Sequence, residues 1–267
     1  MLFWQVILLA VLQGLTEFLP ISSSGHLAIA EYFMNFRSPG LAFEVIVHAG
    51  TLIAVFSYFR KDIACLLGLG SDSAFAGQER KTLLLILLGS VPTGAIGLAL
   101  QDVATWAFDS MAAVGGGLLA TAAFLYPASR IRSPGPAKGG VGAMRWRHAV
   151  LVGAAQGLAV MPGVSRTGVT ISAGLFAGLH RQFAFSFSFL LSIPAVLGAT
   201  FLEARHLIEA PPQVLDIALY VAAFLVSAAV GYGALHALRR ILETARFSFF
   251  AYYCVLVGAA AAVASLV

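Results

Sequence analysis

Along this chain apolar residues come in long runs, and the interruptions are of two kinds. Six runs, near 41–59, 82–100, 110–127, 183–203, 214–237 and 247–266, continue for about the 20 residues a helix needs to cross a bilayer. Two others, 2–34 and 148–179, are apolar but broken in the middle by Gly, Pro and Ser, so that each half is too short to cross. That pattern predicts a re-entrant helix–loop–helix, tolerated in hydrocarbon only where irregular backbone is buried in protein or lines a cavity. The expected fold is an all-α polytopic membrane protein forming a single integral domain over residues 1–267.

Charge orients these elements. Arg60, Lys61, Arg80 and Lys81 fall in loop 60–81, and Arg130, Arg132, Lys138, Arg145 and Arg147 in loop 128–147. Arg181 follows the second broken segment, and Arg239, Arg240 and Arg246 lie in loop 238–246. If the two broken segments do not cross, these thirteen of the sixteen Lys and Arg share one side, which the positive-inside rule makes cytoplasmic. Arg37 and Arg205 fall on the other side, and Arg166 inside the second broken segment.

The same layout exposes a duplication. Repeat one, 1–127, and repeat two, 148–267, flank the cytoplasmic loop 128–147, and each holds one re-entrant pair followed by three spans. Three is odd, so the halves are expected to insert with opposite orientation. Shifted by 143 positions, Gln13, Gly14, Leu15, Ser22 and Gly25 match Gln156, Gly157, Leu158, Ser165 and Gly168. Inverted repeats with broken helices bring their discontinuities together near the midplane.

Composition agrees: 60% of the 267 residues are hydrophobic and 10% charged, against about 25% charged in soluble domains. The net charge of +4 is dispersed among loops, so no nucleic-acid partner is expected. Residues 1–12 lack the basic start and small-residue cleavage site of a signal peptide and read as part of the first re-entrant pair. Cys65 and Cys254 are expected to be packed thiols.

The two breaks carry the chemistry. The first reads Gln13-Gly-Leu-Thr-Glu-Phe-Leu-Pro-Ile-Ser-Ser-Ser-Gly-His26, the second Gln156-Gly-Leu-Ala-Val-Met-Pro-Gly-Val-Ser-Arg-Thr-Gly168. An ionised group at membrane depth costs about 2.5–3.5 kcal/mol even on the lenient insertion scale and reads as functional by default. The Ser22-Ser23-Ser24 run and Ser165 each precede a short apolar stretch and are expected to cap helix N-termini, whose free N–H groups suit an anion. Arg166 can grip phosphate oxygens through its planar fork. Glu17 stands one turn from Gln13 and suits a base or a ligand to a divalent cation; His26 is a natural proton carrier. A serine of the 22–24 run could be the nucleophile, activated by His26 or Glu17, or these groups could activate a water. His48 and Glu44, also one turn apart, read either as support for the site or as a local polar pair. The phenylalanine-rich run 183–189 reads as a packing or lipid-facing surface.

On these residues the chain resembles the undecaprenyl-diphosphate phosphatase family, also called the bacitracin-resistance family. The first motif, (Glu/Gln)-Gly-Leu-Thr-Glu-Phe-(Leu/Ile)-Pro-(Val/Ile)-Ser-Ser-(Ser/Thr)-Gly-His, is met from Gln13 to His26. The second, Pro-Gly-x-Ser-Arg-(Ser/Thr)-Gly-x-Thr, is met from Pro162 to Thr170. The resemblance implies hydrolysis of undecaprenyl diphosphate to the monophosphate and inorganic phosphate, recycling the lipid carrier of cell-wall precursors. It implies Glu17, Ser23, His26 and Arg166 as catalytic residues, with Ser23 the favoured nucleophile, His26 the acid/base and Arg166 the phosphate clamp. It implies Gln13, Ser22, Ser24, Gly163, Ser165, Thr167 and Thr170 in substrate binding, and Mg2+ or Ca2+ as a helper held by Glu17 and Gln13. The implied partners are a polyprenyl diphosphate and membrane lipid, with a homodimer left open. The implied location is the bacterial inner membrane, with the site facing the periplasm or outside. The chain departs from the family at Gln13, where many members have Glu, and at Ser186, where many have Glu. Gln13 cannot serve as a base. The competing expectation is a polyprenyl-phosphate transporter or flippase that binds the same head group without cleaving it.

Overall fold

The computed structural model describes residues 3–34, 41–70, 72–73, 75–132, 135–209, 217–243 and 247–266. Arg37 and Arg246 of the charge map, and the side chain of Arg205, lie outside the described residues. Every regular element among the described residues is helical.

The first broken segment folds as α1 (Phe3–Phe18) and α2 (Ser23–Phe33) around the loop at 19–22. Then come α3 (Leu41–Tyr58), α4 (Arg60–Leu66), α5 (Glu79–Phe108), α6 (Met111–Arg130) and the single turn α7 (Pro136–Gly139). The second broken segment folds as α8 (Trp146–Leu158) and α9 (Arg166–Phe176), followed by α10 (Arg181–Glu209), α11 (Ile217–Glu243) and α12 (Ser248–Ala264). Serine starts the two short inner helices, as expected: Ser22 Oγ accepts from Gly25 N–H at 3.2 Å and Ser165 Oγ from Gly168 N–H at 3.1 Å.

By length and apolar composition α5, α6, α10 and α11 can each cross a membrane, and α3 with α4, bent by 72° between them, makes a fifth candidate. The sixth expected span, 247–266, contains α12, whose 17 residues lie at the short end of the range for crossing. Helices α5 and α10 are longer than their apolar runs, at 30 and 29 residues, because a helix does not stop where its sequence turns polar.

Packing crosses between the two halves of the chain. Helix α1 lies chiefly against α11 and α8 against α5, while α6 pairs with α12 and α3 with both α10 and α11. Lipid-like surroundings give no hydrophobic drive between helices, so small residues at the crossings matter. A Cβ on Gly115 of α6 would lie 2.7 Å from the Gly258 carbonyl oxygen of α12, and one on Gly153 of α8 would strike the backbone of Gly89 on α5. The phenylalanine run of α10 faces inward: Phe185, Phe187 and Phe189 are at most 2% exposed, and Phe189 stacks on Phe59. Large apolar side chains face outward along α5, among them Leu84, Leu87, Val91 and Trp106. Cys65 and Cys254 are free and buried.

Candidate active site

The loops of the two broken helices meet backbone to backbone. A Cβ on Gly25 would sit 3.0 Å from the Cα of Gly163, which itself has φ +83°, a conformation that favours glycine. Thr121 of α6 fastens the second loop: its hydroxyl donates to the Gly163 carbonyl at 3.0 Å and accepts from the Ser165 N–H at 2.8 Å. In the first loop the positive φ falls instead on Ser22, with φ 69° and ψ 106°, the one positive-φ residue other than glycine among the described residues. Such a backbone costs about 1–3 kcal/mol and persists only where its surroundings hold it.

That meeting brings charges from both halves together. Glu17, at the end of α1, and Arg166, at the start of α9, form an ion pair through Oε1 and a guanidinium nitrogen, with side chains only 9% and 18% exposed. A charge buried this far needs such a partner. The other carboxylate oxygen, Oε2, accepts from Ser23 Oγ–H at 2.6 Å and from Gln13 Nε2 at 3.1 Å. His48 of α3 brings Nε2 to 3.9 Å from Oε2, while its Nδ1 donates to the backbone carbonyl of Glu44 at 2.8 Å. The local pair read from the sequence is thus a ring-to-backbone bond that aims the free nitrogen at Glu17. Thr167 donates to the Glu17 carbonyl at 3.3 Å.

These groups open on a cavity of about 600 Å³. Glu17, Ser22, Ser23, Ser24, Ser165 and Arg166 line it at the polar end, with His48 beside them. From there it runs between α5 and α10, past Gly94, Gly97 and Leu98 on one wall and Pro194, Val196 and Ala199 on the other. Gln13, His26, Gly163, Thr167 and Thr170 do not line it: Gln13 and Thr167 touch Glu17, Gly163 shapes the loop, and Thr170 bonds Ser188 and the Arg166 carbonyl. The His26 ring is bonded instead to the Ser22 carbonyl and to Tyr253. Sequence reasoning did not single out Thr121 or Tyr253, each a tertiary neighbour remote in the chain and without a motif of its own.

A hard cation at this site would have to be held by Glu17 and Gln13. Among the described residues Gln13 Oε1 is buried with no hydrogen-bond partner, one turn from the Glu17 carboxylate. Such oxygen ligands suit Mg2+ or Ca2+. Among the described residues no cluster of three or more His, Cys, Asp or Glu stands ready to hold a metal, so this pair would depend on oxygens of a ligand to complete the shell.

Fold and cavity together define a multi-pass helical membrane protein whose polar site is built where two broken helices meet. The sequence profile of bacitracin resistance protein BacA matches residues 6–260, and the chain belongs to that family. It is 43% identical over 266 residues to an undecaprenyl-diphosphatase of Desulfosudis oleivorans, covering 95% of each chain. It is 41% identical over 261 residues to one of Syntrophotalea carbinolica, covering 97% of each. To one of Korarchaeum cryptofilum it is 42% identical over 264 residues, covering 96% of this chain and 97% of the other.

Proposed function

We propose that this protein hydrolyses undecaprenyl diphosphate to undecaprenyl phosphate and inorganic phosphate within the membrane. The observation that carries the reading is the Ser23–Glu17–Arg166 constellation at the polar end of a cavity with apolar walls. A serine whose proton already rests against a carboxylate is a nucleophile with its base in place. The walls from α5 and α10 give an isoprenoid chain an apolar surface beside the polar end.

In the proposed reaction the terminal phosphate enters between the N-termini of α2 and α9, where backbone N–H groups and Arg166 receive its oxygens. The guanidinium then divides itself between Glu17 and phosphate. Ser23 Oγ attacks the terminal phosphorus and passes its proton to Glu17. The bridging P–O bond breaks, and the lipid monophosphate leaves with the electron pair and takes up the proton from Glu17. Water then attacks the phosphoserine and gives a proton to the Glu17 carboxylate; the P–Oγ bond breaks, inorganic phosphate leaves, and Glu17 returns that proton to Ser23 Oγ. Mg2+ or Ca2+, held by Glu17 and Gln13 with the diphosphate, would supply charge neutralisation at the phosphate oxygens.

We place the chain in the plasma membrane as one integral domain, 1–127 and 148–267 being inverted repeats. The exchange of partners supports this: α1 lies on α11 as α8 lies on α5, and α6 pairs with α12. The side of the site is supported by α5, which carries Arg80 and Lys81 at one end and the cavity-lining Gln101 and Phe108 toward the other. With the basic end cytoplasmic, the cavity opens outward.

The test is phosphate release from a polyprenyl diphosphate by purified protein, alongside Arg166→Ala. Release that falls to background in the variant supports the hydrolase. Wild-type release indistinguishable from the variant would leave a transporter that only binds the head group.

A further inference from the structure

Both nitrogens of the His26 ring are spoken for. Nδ1 lies 2.7 Å from the Ser22 carbonyl oxygen and Nε2 lies 2.8 Å from the Tyr253 hydroxyl of α12. A carbonyl only accepts, so the proton is on Nδ1; Nε2 then offers a lone pair, which takes the Tyr253 O–H. The two rings stack with centroids 5.6 Å apart and planes 7° from parallel.

The second loop shows what the arrangement is for. There the position corresponding to His26 is Val169, whose N–H donates to the Ser165 carbonyl at 2.9 Å, and Ser165 has an ordinary φ of −76°. In the first loop Ser22 has φ 69°, and the matching backbone bond from His26 N–H to the Ser22 carbonyl stretches to 3.3 Å. Where backbone alone closes the turn, the residue is apolar. Where the turn is inverted and its backbone bond long, an imidazole reaches the same carbonyl instead.

We propose that His26 is a positioning residue and not the acid/base of the reaction. As the Nδ1–H tautomer, set by Tyr253, it holds the inverted Ser22 carbonyl and thereby keeps Ser23 Oγ on Glu17. The assignment rests on the proposed Ser23 chemistry. Tyr253, 227 residues away in sequence, becomes a second positioning residue for that serine.

The experiment compares wild type, His26→Asn, His26→Gln and Tyr253→Phe in phosphate release from a polyprenyl diphosphate. An Asn amide N–H occupies the place of Nδ1, a Gln amide that of Nε2. The expected result is that Asn keeps kcat within about tenfold of wild type at unchanged KM, while Gln loses about 100-fold, the cost of a nucleophile displaced by about 1 Å. Tyr253→Phe keeps the stacked ring and loses one hydrogen bond, so kcat falls about fivefold at unchanged KM. Equal losses of about 100-fold or more in Asn and Gln, as removal of an acid/base demands, would overturn the proposal. So would a Tyr253→Phe enzyme equal to wild type. If the Gln variant does not fold, the Asn and Phe variants still decide. A 15N spectrum of labelled histidine in the wild-type protein supplies a readout independent of turnover: an Nδ1–H tautomer supports the assignment and an Nε2–H tautomer sinks it. Absent phosphate release from wild type would instead overturn the hydrolase reading.

Discussion

Ser23 and Glu17 stand six positions apart in sequence and 2.6 Å apart in space, because the chain turns over between α1 and α2. That turn makes the carboxylate a base for one hydroxyl in particular. Ser23→Ala is expected to lower kcat by at least about 100-fold, the scale of an acid–base or nucleophilic contribution, in a phosphate-release assay. Arg166→Lys keeps a charge but loses the fork, and should also lose about 100-fold in kcat/KM, since one preorganised donor at the reacting group contributes about that much; near-normal turnover would count against the clamp. Gln13→Glu puts a second carboxylate one turn from Glu17. Without substrate it should make the protein depend on a divalent cation, so that chelation lowers Tm by about 2–4 °C, the equivalent of about 1 kcal/mol, while wild type, which would hold a cation only together with the diphosphate, is unmoved.

Among the elements, the serines that begin α2 and α9 were legible from their place before short apolar stretches, and so was the break between each pair of helices. The ends of α5 and α10 were not, because hydropathy reports the apolar stretch while backbone hydrogen bonding carries the helix past it into Glu79 and Arg181. Nor were α4 and α7, which lack an apolar run to announce them. Helix crossings are set by neighbours that no local pattern names, and Gly115 and Gly116 make the point. A Cβ on Gly115 would lie 2.7 Å from the Gly258 carbonyl oxygen, whereas one on Gly116 would meet nothing within 4 Å. Gly115→Ala should therefore destabilise the protein by about 1–3 kcal/mol through overpacking. Gly116→Ala should stabilise it by about 0.4–1 kcal/mol through a less flexible unfolded chain. Thermal unfolding in detergent of the two variants checks both signs.

For the whole molecule, the layout makes its two faces distinguishable. A thiol placed at Gln101, which lines the cavity, should react with a membrane-impermeant reagent added outside if the proposed orientation holds, and one at Lys138 should not. Because Cys65 and Cys254 are buried, the wild-type chain should stay unlabelled; the opposite pattern of labelling would overturn the topology. The site as a unit was half legible. Matched motifs 143 residues apart put Glu17 and Arg166 in the same place on paper, yet nothing in either motif reveals that Tyr253 from α12 and His48 from α3 flank it. The ion pair between residues 149 positions apart also has a consequence for biogenesis. Ribosomes deliver the N-terminal hairpin long before its counter-ion exists, and a lone carboxylate at membrane depth costs about 2.5–3.5 kcal/mol or more. The newborn hairpin is therefore expected to stay near water until α9 arrives, and a chain terminated between α6 and α9 should be a substrate for membrane quality-control proteases.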